Sequence, residues 1–416
     1  MPHLGLNRYI KPIIIEQPEM NKKFNYSIVF LILLSMAFNV SAVKIKDIKW
    51  LKTAIERSEE QLSAAAEKYT GRRESPRTFE NGEVQFAGTN DWTCGFFPGS
   101  LWQMYELTRN GKFKIQAAHY TELFETVQYR KNTHDVGFIL NCSYGNGYMI
   151  TGNPDYRSVL INGAKSLLTR FHPQVGLIKS WDGRKKWQYP VIIDNMMNLE
   201  LLCKVSGITK DTSYIHASIS HADKTILNHF RPDNSCYHVI NYDSISGKVI
   251  SKETHQGYSN ESSWARGQAW ALYGFTMMYR ETKYPRYLEQ AQKVAALILN
   301  HPNLPKDKIP YWDFNAPKIP NEPRDASAAA IYASALLELS GYVKNGDELL
   351  NAAEEMLISL SSPDYLAAKG ENGLFILKHS TGNWPKNSEV DTPLNYADYY
   401  YLEALGRYIK IKGITY

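Results

Sequence analysis

The pattern that most limits how this chain can fold is an alternation between two kinds of predicted helix. Helical spacing of apolar residues recurs twelve times, and almost no stretch shows the every-second-residue alternation of a strand. Every second helix is apolar or rich in small residues, as in 325–335, whereas partners such as 285–300 carry Glu, Lys and Gln on one face. Apolar helices must be buried, and amphipathic ones can cover them. The sequence therefore predicts an all-α fold, an (α/α)6 barrel of six inner and six outer helices.

Short breaks rich in Gly, Pro and Ser separate the helices, and no linker divides them, so we expect one domain. The predicted helices cover 48–68, 95–109, 113–130, 136–150, 155–171, 191–206, 211–230, 264–281, 285–300, 325–341, 345–361 and 394–410.

The sixth predicted helix is the most unusual, because a carboxylate stands where it begins. The stretch 191–202 is apolar on every side of a helical wheel, yet it contains Asp194, followed by Asn195 and Asn198. Apolar surroundings raise the pKa of a carboxyl group, which is how proteins make general acids that work near neutral pH. An Asp at a helix start is equally typical of an N-cap. This stretch alone favours neither interpretation.

Polar and aromatic residues recur at the starts of the other inner helices, and these starts should share one end of the barrel. They are Asp91-Trp92, His134-Asp135, Trp264 to Arg266 and Arg324-Asp325. Converging helix N-termini favour an anion at that end. The long loops 175–189 and 231–263 add Trp181, Trp187, His238, His255, Gln256 and Glu261. The sequence therefore predicts a site for an anionic sugar.

Four charged residues of this end have competing interpretations. Asp135 and Asp194 are a pair of acids of the kind that glycoside cleavage uses, although Asp135 alone is more typical of an N-cap. Asp325, before a run of Ala, is also more typical of a cap. Arg266, on an inner helix, requires an anionic partner, for which Asp194, Glu261 and a substrate carboxylate are the candidates.

Composition excludes several classes of protein. The net charge of +5 comes without a basic block, which argues against nucleic acid as a partner. The four cysteines, Cys94, Cys142, Cys203 and Cys236, are far apart and show no CxxC spacing, which argues against a metal site.

The N-terminus predicts export. Lys22 and Lys23 precede the apolar run 28–38, which is too short for a membrane span, and Val40-Ser-Ala supplies a cleavage site. Because no Cys follows, a membrane anchor is not expected in the mature form. We expect an extension and signal peptide over 1–42, one catalytic domain over 43–416, and a periplasmic location.

The chain resembles the unsaturated glucuronyl hydrolases of glycoside hydrolase family 88. The resemblance spans nearly the whole mature chain and rests on DWTCGFFPG at 91–99, HDVGF at 134–138, DNMMN at 194–198, HQGY at 255–258, SWARGQAW at 263–270, RDASAA at 324–329 and YADYYYLEAL at 396–405.

The resemblance implies an enzyme that acts on unsaturated uronic-acid oligosaccharides left by polysaccharide lyases. By this resemblance Asp194 protonates C4 of the unsaturated uronate and then assists attack of water at C5, while Asp135 holds Asp194 and the sugar ring in position. No metal or cofactor is implied. The positions that match residues lining the sugar and its carboxylate are Trp92, His134, His238, Gln256, Trp264, Arg266 and Trp270.

Three alternatives stay open at this point. They are an unsaturated rhamnogalacturonyl hydrolase, a conventional inverting glycosidase on the same barrel, and a sugar-binding protein without catalysis. For the source polysaccharide, we expect sulfated glycosaminoglycan fragments. The segment 382–391 contains Lys386 and Ser388, and Lys386 could meet a sulfate, although a solvated loop lysine is the simpler interpretation.

Overall fold

A computed structural model describes residues 44–182 and 186–415. In this part of the chain the helices are α1 Lys49–Lys68, α2 Phe96–Thr108, α3 Gly111–Glu122, α4 (Val136–Leu140, a π-helical turn Asn141–Gly145, and Asn146–Thr151), α5 Pro154–Leu168, α6 Asn195–Thr209, α7 Ser213–His229, α8 Ala265–Thr282, α9 Pro285–Asn300, α10 Ala326–Ser340, α11 Gly346–Leu360 and α12 Asn395–Lys412.

The six even-numbered helices form a closed inner ring. Each packs against the next, and α12 returns to pack against α2. The odd-numbered helices lie outside this ring, and α9 and α11 bury apolar residues on one face only. The helix α10, by contrast, is buried along nearly its whole length. The predicted (α/α)6 barrel is confirmed.

Glycines let α6 fit tightly between its neighbours in the ring. A Cβ on Gly137 of α4 would lie 2.5 Å from the Asn198 Cα, and one on Gly274 of α8 would lie 2.4 Å from the Met196 Cβ. Both distances are too short for any side chain. The glycine in HDVGF is therefore explained by the close approach of α4 and α6.

The structure contains short strands that the sequence pattern does not predict. The described residues contain nine strands in four small antiparallel sheets: β1 Ser75–Glu80 with β2 Glu83–Ala87, β3 Phe171–His172 with β4 Leu177–Ile178, β5 Tyr189–Ile192 with β6 Val239–Tyr242 and β7 Val249–Glu253, and β8 Ser380–Asn383 with β9 Ser388–Thr392. The helix predicted over 191–206 begins only at Asn195. The β-branched residues Val191 and Ile192, before Asp194, belong to strand β5 instead. Strands this short leave too few residues for a periodicity to be read.

The predicted signal peptide lies outside the described residues. Among the helices of 44–182 and 186–415, none combines the length and the apolar character that a membrane crossing requires.

Candidate active site

A cavity of about 320 Å³ opens at the end of the barrel where the inner helices begin. Four of the predicted site residues line it: Trp92, Asp194, Gln256 and Arg266. The hairpin of β8 and β9 forms one wall, to which it contributes Gly382, Asn383, Lys386, Ser388 and Glu389. Two further predicted residues contact this lining: His238 lies beside Asp194, and Trp264 packs against the guanidinium of Arg266.

Asp194 lies at the base of the cavity with its carboxyl group almost fully buried. Its side chain makes no capping hydrogen bond to α6, so the N-cap interpretation is wrong. The Oδ2 atom is buried and accepts no hydrogen bond from a described residue. Burial raises the pKa of Asp194 to about 7; Arg266 opposes the shift, and the nearby charge of Asp135 adds to it. Asp194 is therefore a carboxyl group that can carry a proton at neutral pH.

Asp135 has the opposite surroundings. The Thr133 hydroxyl donates to its Oδ2 at 2.5 Å, and the His134 Nε2 lies 3.2 Å from its Oδ1. It makes no capping bond to α4, so the cap interpretation is wrong here too. The two acids are thus held in different environments: the Asp194 Oδ2 is buried without a hydrogen bond to a described residue, whereas Asp135 has Thr133 and His134 beside its two oxygens.

His238 presents a neutral N–H to Asp194. Its Nδ1 accepts the backbone N–H groups of His255 and Gln256 at 3.2 and 3.1 Å, so a neutral ring must carry its proton on Nε2. Burial lowers the pKa of His238 well below its usual value, which keeps the ring neutral. The Nε2 atom lies 3.6 Å from the Asp194 Oδ2, beyond hydrogen-bond distance. The ring packs against Trp264, with 4.4 Å between the ring centroids.

The ion-pair partner of Arg266 is none of the three candidates that the sequence suggests. Its guanidinium pairs with Asp325 at 3.0 Å and donates to the carbonyl oxygens of Thr381 and Gly382 at 2.5 and 2.6 Å. Asp194 and Glu261 are not its partners. The Asp325 carboxylate also accepts from the backbone N–H groups at the start of α10, so its predicted role as a cap is confirmed. Arg266 therefore fastens the hairpin wall to the barrel.

Other predicted residues complete the wall and floor. The Gln256 side-chain amide also donates to the Gly382 carbonyl, at 2.9 Å. Trp92 packs against Phe138, with 5.5 Å between the ring centroids. The Trp270 indole N–H is buried without a hydrogen bond to a described residue, and its approach to Asp194 slightly opposes the rise in that pKa.

Several residues at the cavity were missed as site residues. Arg77 binds Glu389 through two hydrogen bonds of 2.6 and 2.9 Å and also pairs with Asp91. Tyr396 lies 5.0 Å from Trp92 between ring centroids, and its hydroxyl makes no hydrogen bond to a described residue. Tyr396 opens a motif that was noted, whereas Arg77 and Glu389 stand 312 positions apart and leave no local signal.

Trp181, noted as a loop residue, and His255, which opens the HQGY motif, also line the cavity, and their ring centroids are 5.4 Å apart.

The cysteines and acidic groups add no metal site to the described part of the chain. The four cysteines are buried free thiols, and no cluster of three His, Cys, Asp or Glu side chains there could hold a metal ion.

Comparison with known proteins agrees with this geometry. The unsaturated glucuronyl hydrolase of Formosa agariphila is 52% identical over 323 residues, which are 77% of this chain and 80% of that protein. The unsaturated chondroitin disaccharide hydrolase of Streptococcus pneumoniae is 32% identical, over 81% of this chain and 86% of that protein.

Solved structures give the same result. The crystal structure of an unsaturated glucuronyl hydrolase specific for heparin has a TM-score of 0.86 and 53% identity, and it covers 88% of this chain and 98% of that one. A Streptococcus agalactiae enzyme variant in complex with dGlcA-GalNAc6S has a TM-score of 0.75 and 28% identity, and it covers 95% of this chain and 98% of that one. Residues 66–405 match the family described as Glycosyl Hydrolase Family 88. This chain belongs to glycosyl hydrolase family 88.

Proposed function

We propose that this glycoside hydrolase is an unsaturated glucuronyl hydrolase that removes the 4,5-unsaturated uronic acid from the nonreducing end of lyase-generated oligosaccharides. The observation that carries the proposal is the pair of carboxyl groups in different environments: Asp194 lines the cavity with its pKa raised to about 7 by burial, and Asp135, near enough to add to that rise, is held by Thr133 and His134. Relatives that are 52% and 32% identical are named for this class of reaction.

The arrangement suits hydration of the C4=C5 double bond. The Asp194 carboxyl group gives its proton to C4, which leaves an oxocarbenium-like cation between C5 and the ring oxygen. The Asp194 carboxylate then takes a proton from water as the water oxygen bonds to C5. The hemiketal formed at C5 opens, and a keto-uronate and the shortened sugar separate. The charge on Asp135 stabilises the cation between the two proton transfers.

Incubation with lyase-generated disaccharides tests the activity, since loss of the double bond removes its ultraviolet absorbance. In heavy-oxygen water the label should enter at C5 of the uronate, and the glycosidic oxygen should stay on the leaving sugar. Label at the anomeric carbon would instead indicate a conventional inverting glycosidase. Faster turnover of unsaturated rhamnogalacturonyl substrates would indicate the other alternative.

The cavity's charges suit an anionic substrate. Three cationic side chains line it: Arg77, Arg266 and Lys386. Arg77 and Arg266 form ion pairs with described residues, whereas Lys386 forms none with them. Analogues without the uronate carboxyl group should therefore bind poorly, and Arg266→Lys should impair activity, because a lysine cannot reproduce the planar contacts to the hairpin. Equal affinity for neutral and anionic analogues would contradict this.

We further propose that the natural substrates are sulfated glycosaminoglycan fragments, with Lys386 facing the sulfate. Lys386 and Ser388 stand on the hairpin wall, and a structural neighbour is described as specific for heparin. Lys386→Ala should lower kcat/KM for a sulfated disaccharide more than for its unsulfated counterpart. Lys344→Ala removes the same charge beyond the far end of α10 and is the matched control. An unchanged ratio of the two substrates' kcat/KM values would remove Lys386 from the site.

Export to the periplasm is also a proposal, supported by the sequence over 1–42. Fractionation of cells, with N-terminal sequencing of the recovered protein, should find the enzyme outside the cytoplasm and starting near Val43.

A further inference from the structure

We propose that Asn195 and Asn198 are positioning residues that fix which nitrogen of His134 carries its proton. Neither asparagine lines the cavity. Through His134 they act on Asp135, and through the charge of Asp135 on the acid Asp194. The link to catalysis rests on the proposed function, whereas the state of His134 can be measured without any substrate.

Asn198 determines the role of one ring nitrogen. The backbone N–H of Phe138 donates to the Asn198 Oδ1 at 2.7 Å, which places the side-chain NH2 group on the other side of the amide. That Nδ2 lies 3.3 Å from the Nδ1 of His134. Because an NH2 group can only donate, Nδ1 must accept and cannot carry a proton. The close packing at Gly137 brings the two helices near enough for this contact.

Asn195 determines the role of the other ring nitrogen. Its Nδ2 donates to the Ile178 carbonyl at 2.7 Å, so its Oδ1 is turned away as an acceptor. This Oδ1 and the His134 Nε2 are both buried atoms without a hydrogen bond to a described residue, and the Asn195 side chain stabilises a protonated ring. The Asp135 Oδ1 lies 3.2 Å from the same Nε2. With the Asp135 Oδ1 at this distance and the Asn195 amide acting on the same ring, a proton on Nε2 is the arrangement that these groups favour.

The charges around the ring keep it neutral. His134 is fully buried, and burial lowers its pKa; Asp135 opposes this shift and Arg170 adds to it. The neighbouring histidines His221 and His238 are themselves held neutral, because burial lowers the pKa of each. A neutral ring has one proton, and the two asparagines place it on Nε2, toward Asp135.

The catalytic consequence passes through the second acid. An N–H aimed at the Asp135 carboxylate orients that group, and the charge of Asp135 helps to raise the pKa of Asp194. A lone pair on Nε2 would instead repel Asp135. The DNMMN motif thus supplies both the acid and the two amides that orient its neighbour.

The first experiment observes the tautomer in the unmodified enzyme. Nitrogen-15 NMR of the chain labelled in histidine, with the His134 signals assigned by their loss in His134→Gln, should show a protonated Nε2 and a bare Nδ1 from about pH 5 to about pH 8. A proton on Nδ1, or a ring that titrates within this range, would overturn the inference. If the tautomer is as expected but unsaturated disaccharides are not cleaved, the proposed function fails and this inference stands.

The second experiment reverses one amide. Asn198→Asp keeps the acceptor for Phe138 but turns an oxygen toward Nδ1, which must then be protonated. At acid pH the doubly protonated ring still donates to Asp135, so activity is kept. As pH rises the remaining proton stays on Nδ1, and kcat should fall at least about tenfold at pH values where the wild type is still active, with KM within about twofold.

A structural role alone would lower kcat by the same factor at every pH, and that result would also contradict the inference. Asn141→Asp is the matched control, because Asn141 is a buried amide on α4 that contacts Glu200 and Lys204 instead of a histidine. It should leave the shape of the pH profile unchanged. If Asn198→Asp does not fold, the NMR measurement on the unmodified chain still decides.

Discussion

The two ends of the inner barrel are built from the same helices, yet their polar groups are arranged in opposite ways. At the end where the inner helices terminate, charged side chains form a continuous network. Arg280 bridges Glu200 at 2.5 Å and Glu338 at 3.0 Å, and Arg407 reaches the same Glu338 at 3.0 Å. Among the described residues the ion pairs of this network join Glu200, Arg280, Glu281, Glu338, Glu403 and Arg407, and Asn141 links Glu200 to Lys204.

At the mouth, by contrast, polar atoms are left without partners. The Asp194 Oδ2, the His238 Nε2 and the Trp270 Nε1 are buried and make no hydrogen bond to a described residue. Cations at helix C-termini and complete pairing stabilise the closed end. The mouth instead keeps unsatisfied groups together, which costs stability and leaves them free to act on a substrate. Stability and chemistry are thus assigned to opposite ends of one set of helices.

The largest effect should come from the mouth. Asp194→Asn removes the proton donor and should lower kcat by about 10²–10⁴ or more, since one group serves both proton transfers. The fold and most of the substrate binding should remain, as measured by circular dichroism and by titration with a disaccharide. Asp135→Asn should also be severely impaired. Near-normal turnover of Asp194→Asn would show that Asp194 is not the proton donor.

The converse test is made at the closed end. Arg280→Met leaves Glu200 and Glu338 without their shared cation and should lower the free energy of unfolding by about 2–3 kcal/mol, less than for a fully buried pair because 28% of the arginine side chain is exposed. Denaturant unfolding measures this, and kcat should stay within about twofold. Arg286→Met is the control, because its pair with Asp223 is exposed and should contribute at most about 1 kcal/mol. Equal losses in the two variants would show that the network adds nothing.

The pH dependence of activity and of stability should both reflect the Asp194 carboxyl group at the mouth. The proton on Asp194 is lost above its pKa of about 7, so kcat/KM should fall about tenfold per pH unit beyond that value. Since the folded pKa exceeds the unfolded one, the native state binds more protons between about pH 4 and about pH 7, and Asp194 makes the protein less stable as pH rises through that range. Asp194→Asn lacks this loss, and its Tm should exceed that of the wild type more at about pH 8 than at about pH 5. A constant difference in Tm would contradict the raised pKa.

The smallest expected effects come from two buried tyrosines. Tyr396→Phe removes the hydroxyl of a residue that lines the cavity and should raise KM about threefold to tenfold, with little change in Tm. Tyr273→Phe at the closed end removes a hydroxyl that donates to Glu403 at 3.0 Å and accepts from Arg407 at 3.1 Å. It should lower stability by about 1–3 kcal/mol without altering KM. If Tyr396→Phe instead lowers stability and Tyr273→Phe raises KM, then stability and chemistry are not assigned to opposite ends of the barrel.

The features that could be predicted are those that local patterns carry. The alternation of buried and amphipathic helices follows from side-chain periodicity, and a lone carboxylate beside apolar residues indicated Asp194 as a candidate acid. Contacts between distant segments could not be read in this way. Arg266 pairs with Asp325, which is 59 positions away, and the residues around either one give no indication of the pairing.

The closed-end network shows the same limit. Residues such as Glu200 and Arg407 look like ordinary surface charges on helices, and only the closure of the ring brings them together. The strand at Tyr189–Ile192 was mistaken for the start of a helix, since a short apolar run suits either structure until its partner strand is known.

The way in which the hairpin wall is attached has a consequence for the history of such enzymes. Arg266 and Gln256 both grip the carbonyl oxygen of Gly382, a group that every amino acid possesses. These bonds place no demand on the side chain of Lys386, whereas Gly382 must stay a glycine, because a Cβ there would lie 2.5 Å from the Glu389 Oε2. If Lys386 faces the sulfate as proposed, mutations in its turn should change the sugar preference while the wall stays in place. A lineage built on this barrel could thus follow changing polysaccharides by altering a few residues of one turn, leaving the acid and its supports untouched.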